Sequence, residues 1–313
     1  MTIDLEQLPA THVKLPSGDL MPTLGLGCWQ SPPEQLIPAV QHALNVGYRH
    51  IDGATIYGNE EALGEGLRRS GVDRKDVWVT TKLWNTEHRP EDVLPALKAS
   101  LSKLGLEYLD LWLMHYPAAN EGNEIGKIVA LDISYVDTWR AMEECVELGL
   151  VRNIGVSNFS QIELEKLLAN CRIRPVLHQM ERHCYLPQNA FMAYHRKVGL
   201  HITAYSPLGN TNPSFADRDP LPPILDNEVI KSIAAKYGIT PANVLISLQL
   251  SEGNSVLPKS VTPQRITENL RVVQLSEEDI QAIAKSCAGL RCRYCDFSHI
   301  TMYKFYEGLN DDD

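Results

Sequence analysis

Eight short apolar runs, each trailed by an amphipathic stretch, recur along this chain with no linker, low-complexity tract or break in composition. Strand then helix, repeated, leaves few folds open, because parallel strands need a crossover between them and the crossover helices must cover the sheet. The predicted strands are Leu24–Cys28, Tyr48–Asp52, Val77–Leu83, Leu109–His115, Val151–Ser157, Val176–Glu181, His201–Ser206 and Ser255–Lys259. The predicted helices are Pro33–Val46, Glu60–Arg69, Pro90–Lys103, Val136–Leu148, Gln161–Ala169, Gln188–Val198, Asp226–Tyr237 and Pro263–Leu270. Eight such units are the count of an α/β fold of the (β/α)8 TIM-barrel type, expected here as a single domain over residues 1–313. Val13–Met21 reads as a β-hairpin around Ser17-Gly18-Asp19, placed to plug the barrel bottom.

A doubly wound sheet competes with the barrel, but it would carry a glycine-rich dinucleotide turn. Gly25-Leu26-Gly27-Cys28-Trp29-Gln30 opens like one and then has Gln30 where the third small residue belongs, so the barrel is favoured. The 313 residues, 44% of them hydrophobic, suffice for a large core. A formal charge of -10 argues against nucleic acid or an anionic membrane as partner, and no run has the roughly 18 apolar residues of a membrane span. Met1–Ala10 lacks the apolar stretch of a secretory signal, and seven scattered cysteines do not make a disulfide framework, so a cytoplasmic location is expected. Cys292-x-x-Cys295 has no second pair at zinc spacing, so no metal site is expected.

Active sites of such barrels gather at the C-terminal ends of the strands. Asp52, Tyr57, Lys82 and His115 all fall at or just past those ends, on the second, third and fourth strands. Singly, each has an ordinary reading as a salt bridge, a packed ring or a core histidine. A carboxylate, phenol, ammonium and imidazole together are what protonation of a carbonyl oxygen requires, and carbonyl reduction needs a hydride that no side chain supplies.

Several blocks in order, from His50-Ile51-Asp52 through Tyr57-Gly58-Asn59-Glu60, Thr81-Lys82-Leu83-Trp84, His115-Tyr116-Pro117, Gly155-Val156-Ser157-Asn158-Phe159 and Ala204-Tyr205-Ser206-Pro207-Leu208-Gly209 to Pro258-Lys259-Ser260, resemble the aldo-keto reductase family over nearly the whole chain. The resemblance implies reduction of aldehydes with Tyr57 as general acid, Lys82 and Asp52 tuning it, and His115 orienting the carbonyl. It implies a nicotinamide cofactor stacked on Tyr205, with Ser157, Asn158 and Gln179 on its carboxamide, and with Asp52, Trp29, Ser206, Leu208 and Val261 among its contacts. Lys259, Ser260 and Arg265 would receive a 2′-phosphate at a helix opening at Thr262-Pro263, favouring NADPH/NADP+ over NADH, and Glu268 and Asn269 would meet adenine. Trp29, Trp84 and Tyr116, with Tyr57 and His115, would line the pocket for a small-molecule carbonyl substrate such as glyceraldehyde or another short aldose. Uronates and aromatic aldehydes are substrate-level alternatives, a monomer is expected, and a regulatory subunit or a recruited structural protein are readings from other classes. Substrate choice would be tuned by 118–134, 210–223 and a C-terminal loop over the mouth from Gly289 onward.

Overall fold

The structure, a computed structural model, describes Pro9, residues 11–124, 127–209 and 221–298, together with Tyr303 and Tyr306. Two short strands, β1 (His12–Lys14) and β2 (Leu20–Pro22), pair antiparallel with Val13 opposite Met21, and Leu15 N–H donates to Asp19 O at 2.9 Å across the turn. Then come β3 (Leu26–Gly27), β4 (His50–Asp52), β5 (Trp78–Leu83) and β6 (Leu109–Met114). A side hairpin, β7 (Ala119–Glu121) with β8 (Val129–Leu131), precedes β9 (Val151–Ser157), β10 (Leu177–Glu181), β11 (His201–Tyr205) and β12 (Ser255–Leu257). Eight of these form one parallel sheet in the order β12-β11-β10-β9-β6-β5-β4-β3. Parallel bridges Leu24↔Val256 and Gly27↔Lys259 join its two edges, with Gly25 N–H donating to Val256 O at 3.0 Å and Val256 N–H to Thr23 O at 2.7 Å. The sheet is the barrel that the alternation predicts.

Strand side chains alternate between the barrel interior and the helices. On β5, Val79 and Leu83 join the helix-facing core, whereas Trp78 packs with Leu111, Leu113 and the hairpin's Leu15 and Met21. The hairpin therefore plugs the bottom as expected, and Asn153 Nδ2 ties it down by donating to Asp19 Oδ2 at 2.7 Å. Gly155 keeps the interior from overfilling: a Cβ there would lie 2.8 Å from both Leu113 Cδ2 and Leu177 O.

The covering helices are α1 (Pro33–Val46), α2 (Glu60–Ser70), α3 (Pro90–Leu104), α4 (Tyr135–Glu147), α5 (Gln161–Leu168), α6 (Asn189–Val198), α7 (Glu228–Tyr237), α8 (Pro241–Ser251), α9 (Pro263–Glu268) and α10 (Glu277–Ser286). Pro33 opens α1 and Gly47, left-handed at φ 118°, ends it, while Ser160 and Glu163 form a capping box on α5. Three elements differ from the sequence expectation. α8 follows α7 directly, and its residues from Asn243 to Leu250 are buried, so no polar face marks it as a helix. The β7–β8 hairpin fills much of 118–134, a segment expected only as a loop. α10 has a readable start, since Ser276 caps it by accepting from Asp279 N–H at 3.2 Å ahead of an acidic first turn. The expected loop 210–223 lies outside the described residues up to 220, and most of the tail beyond 298 does too.

Candidate functional site

Parallel strands bring their C-terminal ends to one rim, and the chemistry-bearing side chains meet there. Lys82, near the end of β5 and fully buried, donates from Nζ to Asp52 Oδ1 on β4 at 2.6 Å and to Gly53 O at 2.8 Å. Gln179 on β10 reaches across the barrel and donates from Nε2 to the other Asp52 oxygen at 2.8 Å. A buried lysine–carboxylate pair is tolerable only with its remaining valences filled, and these three bonds fill most of them.

Tyr57 ends a 3-10 turn (Thr55–Tyr57) that Thr55 pins to β5 by donating to Lys82 O at 2.9 Å. Lys82 Nζ stands 5.4 Å from the Tyr57 ring centroid. Burial, followed by the Asp52 carboxylate, pushes the Tyr57 phenol well above its ordinary 10. The ammonium beside it is held by Asp52 and Gly53, and the buried hydroxyl of the resting site stays a protonated donor.

His115 follows β6, its N–H donating to Leu83 O at 3.1 Å and its carbonyl accepting from Asn158 Nδ2 at 2.9 Å. Its ring lies edge-on to Tyr57 with centroids 5.9 Å apart, and burial, then the Lys82 charge, holds it well below its ordinary 6.5. The imidazole is neutral, and its Nδ1 is buried without a hydrogen-bond partner. Trp84 meets it at 5.1 Å, Tyr116 stacks on it at 5.1 Å, and Phe297 from the tail meets Tyr116 at 6.3 Å. Trp84 Nε1 donates to Asn123 Oδ1 at 2.6 Å, so the loop after β7 holds one aromatic wall. Trp29 stands half-buried beyond β3.

Opposite them, Ser157 Oγ accepts from Asn158 Nδ2 at 3.1 Å, and Tyr205 Oη donates to Asn158 Oδ1 at 2.6 Å. Asn158 and Ser206, just past β9 and β11, hold left-handed φ values of 61° and 51°, a conformation unusual outside glycine and concentrated at functional sites. Leu208 lies half-buried beside Gly209, also left-handed at φ 70°. The tail contributes Tyr306, whose hydroxyl donates to Asn158 Oδ1 at 3.2 Å, and Cys295, whose carbonyl oxygen lies 3.3 Å from the same hydroxyl. Sequence reasoning marked this tail as tuning but found no residue in it. What holds it is legible only in space: the buried Glu181 carboxylate accepts the Tyr294 and Cys295 amides, each at 2.8 Å.

Beyond β12, Lys259 and Arg265 are exposed, and among the described residues neither makes a salt bridge. Ser260 Oγ accepts from Thr262 N–H at 3.1 Å, and Val261 is half-buried next to it. Two uncompensated cations on a chain of charge -10 fit a phosphate. Thr262 occupies the N-cap position but makes no side-chain cap, and α9 is only six residues long. Glu268 Oε1 accepts from Gln264 Nε2 at 2.7 Å, and Asn269 is buried.

A (β/α)8 barrel whose rim gathers a phenol, a neutral imidazole and a buried lysine–carboxylate pair is the frame of a carbonyl oxidoreductase. The chain belongs to the aldo/keto reductase family, whose model matches residues 22–287. It is 42% identical to an uncharacterized oxidoreductase of Schizosaccharomyces pombe, with 92% of each chain covered. It is 44% identical to human aldo-keto reductase family 1 member A1, with 85% of each covered. Among solved structures, a Bombyx mori aldo-keto reductase in complex with NADP superposes with a TM-score of 0.88 at 34% identity, covering 97% of this chain and 100% of that one. Among the described residues no helix is long and apolar enough to cross a membrane, and no cluster of His, Cys, Asp and Glu suits a metal ion.

Proposed function

We propose that this protein reduces aldehydes, and some ketones, to alcohols with NADPH. The observation that carries the reading is the Tyr57 and His115 pair, 5.9 Å between ring centroids, above the buried Lys82–Asp52 bond of 2.6 Å. NADPH, when bound, supplies hydride to the carbonyl carbon. Tyr205 offers its ring to the nicotinamide face, and Ser157, Asn158 and Gln179 stand within the same rim to meet the carboxamide, with Trp29, Ser206, Leu208 and Val261 along the remaining length. Lys259, Ser260 and Arg265 take the 2′-phosphate, which favours NADPH over NADH, and Glu268 and Asn269 lie beside the adenine end. The likeness to the Bombyx protein that holds NADP supports the same choice.

In this reading Tyr57 Oη donates its proton to the substrate oxygen as charge develops there, and neutral His115 donates a hydrogen bond to the same oxygen. The raised pKa of Tyr57 keeps the donor protonated until an oxyanion forms beside it, and donors aimed at developing charge act strongly in a dry site. Lys82, fixed by Asp52, holds positive charge behind the phenol and stabilises the phenolate left after transfer. Trp84 and Tyr116 form flat walls that exclude water.

Small hydroxyaldehydes such as glyceraldehyde are the first substrate class. The apolar cluster of Tyr116, Trp84, Phe297, Tyr303 and Tyr306 favours aromatic aldehydes as the second. Seven cysteines outside disulfides suit a reducing cytosol, and the enzyme is proposed to act as a monomer. The test is NADPH oxidation followed at the nicotinamide absorbance band with glyceraldehyde, other aldoses, uronates and benzaldehydes. Turnover is expected in wild type, with kcat/KM lower by about 10²–10⁴ in Tyr57→Phe. No turnover with any aldehyde overturns the function, and full turnover by Tyr57→Phe overturns the mechanism.

A further inference from the structure

Strand β10 presents neighbouring side chains to opposite sides. Gln179 points into the barrel and holds Asp52, whereas His178, the residue before it, turns outward to α6 and is fully buried there. Its partner is His195 of α6, also fully buried, with His178 Nδ1 and His195 Nε2 2.8 Å apart. The ring planes lie within 18° of parallel, with centroids 5.0 Å apart. Stacked rings keep their atoms about 3.5 Å apart or more, so nitrogens this close mean an edge-to-edge hydrogen bond.

The two ends of the pair fix where its protons sit. Phe159 N–H donates to His178 Nε2 at 3.1 Å, so in the neutral ring that nitrogen is bare and Nδ1 carries the proton. His178 Nδ1 therefore donates to His195 Nε2, which leaves the His195 proton on Nδ1, where the Phe191 carbonyl accepts it at 2.6 Å. A backbone donor at one end and a backbone acceptor at the other permit this one arrangement. Burial keeps both rings neutral, holding His178 well below the ordinary 6.5 and His195 at about 4.

What the pair grips is the turn after β9. Asn158 takes a left-handed φ of 61°, and its N–H still reaches the sheet, donating to Gln179 O at 3.2 Å. The next amide, that of Phe159, has left the ladder and has His178 as its acceptor. Consecutive amides are thus held by the backbone of one β10 residue and the side chain of its neighbour. From this turn the Asn158 side chain donates to His115 O and accepts from Tyr205 Oη. A non-glycine residue keeps such a backbone only where its surroundings impose it.

We propose that His178 and His195 are positioning residues, a one-way hydrogen-bond relay from α6 that fixes the turn at Asn158 and with it the carboxamide end of the cofactor site. The proposal rests on the reading that Asn158 meets the nicotinamide carboxamide. Leucine in place of His195 strands the His178 Nδ1 proton in a dry interior, so the His178 ring shifts or changes tautomer and the Phe159 amide loses its acceptor. Glutamine there can keep the relay, because an amide, like an imidazole, accepts at one atom and donates at another.

Nitrogen NMR of the full-length protein carrying isotope-labelled histidine reads the ring protons directly near neutral pH. Both rings should carry their proton on Nδ1, with His178→Gln and His195→Gln assigning the signals. His195→Leu should speed hydrogen exchange at the Phe159 amide and raise the NADPH dissociation constant about three- to tenfold, as for one typical hydrogen bond, with the loss in KM for NADPH rather than in kcat. His195→Gln should restore both. The wild-type tautomers need no variant, so a variant that fails to fold leaves the test standing. An Nε2-protonated or doubly protonated ring at either position overturns the relay, and so does a His195→Leu protein that unfolds more easily yet binds NADPH as wild type does. A wild type that binds no NADPH defeats the cofactor reading instead, and the ring protons and Phe159 exchange still decide the relay.

Discussion

Replacing Lys82 by methionine keeps the length of the side chain and deletes its charge. The Lys82 and Asp52 side chains are 1% and 5% exposed, so water cannot compensate the carboxylate left behind, and only Gln179 Nε2 at 2.8 Å remains to hold it. Breaking a buried pair from one side costs about 3–5 kcal/mol. For a chain of 313 residues, an unfolding entropy of about 2.1 cal/mol/K per residue gives roughly 0.7 kcal/mol/K, so the melting temperature should fall by about 5–8 °C. Adding Asp52→Asn removes the stranded charge and should recover at least half of that loss, while activity stays low because the phenol has lost its charged support. Calorimetry on wild type, both single variants and the double variant closes the cycle, with kcat/KM measured beside it. A double variant no more stable than Lys82→Met, or a single-variant shift below about 1 °C, would refute the account of this bond as a buried pair whose partners need each other.

Arg265→Ala should weaken NADPH binding at least tenfold and leave NADH binding nearly unchanged, read by fluorescence titration; equal losses would move the 2′-phosphate site elsewhere. Burial holds His50 and His195 at about 4 and His88 at about 3. Each folded value lies below the ordinary 6.5, so the unfolded chain takes up protons first and stability drains as pH falls through 6.5. These three histidines should together cost about 4 kcal/mol between pH 7.5 and 5.5, lowering the urea midpoint, and equal midpoints would contradict their burial as neutral rings. Gly155→Ala places a methyl against Leu113 and the Leu177 carbonyl, and denaturant unfolding should report a loss of about 1–3 kcal/mol unless the barrel interior yields.

The barrel was legible because its signal is repeated: every strand-and-helix unit restates the same period, and an error of two residues at one end of Tyr48–Asp52 does not move Asp52 off the rim. Lys82, Asp52 and Tyr57 were legible for the same reason, since a strand end is a place that sequence can locate. What stayed hidden has a common physical cause. α8 shows no polar face because it is wrapped by protein, and Glu181 looks like any strand carboxylate until the tail amides close on it. Periodicity records how an element faces water, so it cannot report contacts made between one element and a distant loop. The pKa of Tyr57 marks the same boundary inside the site. The resemblance implied a lysine that tunes it; the structure adds that this ammonium is bound by Asp52 and Gly53 and that burial raises the resting phenol. The acid proposed for this rim is therefore set by enclosure and by the charge that forms during reaction, which is why removing the hydroxyl should cost turnover and removing the lysine should cost both turnover and stability.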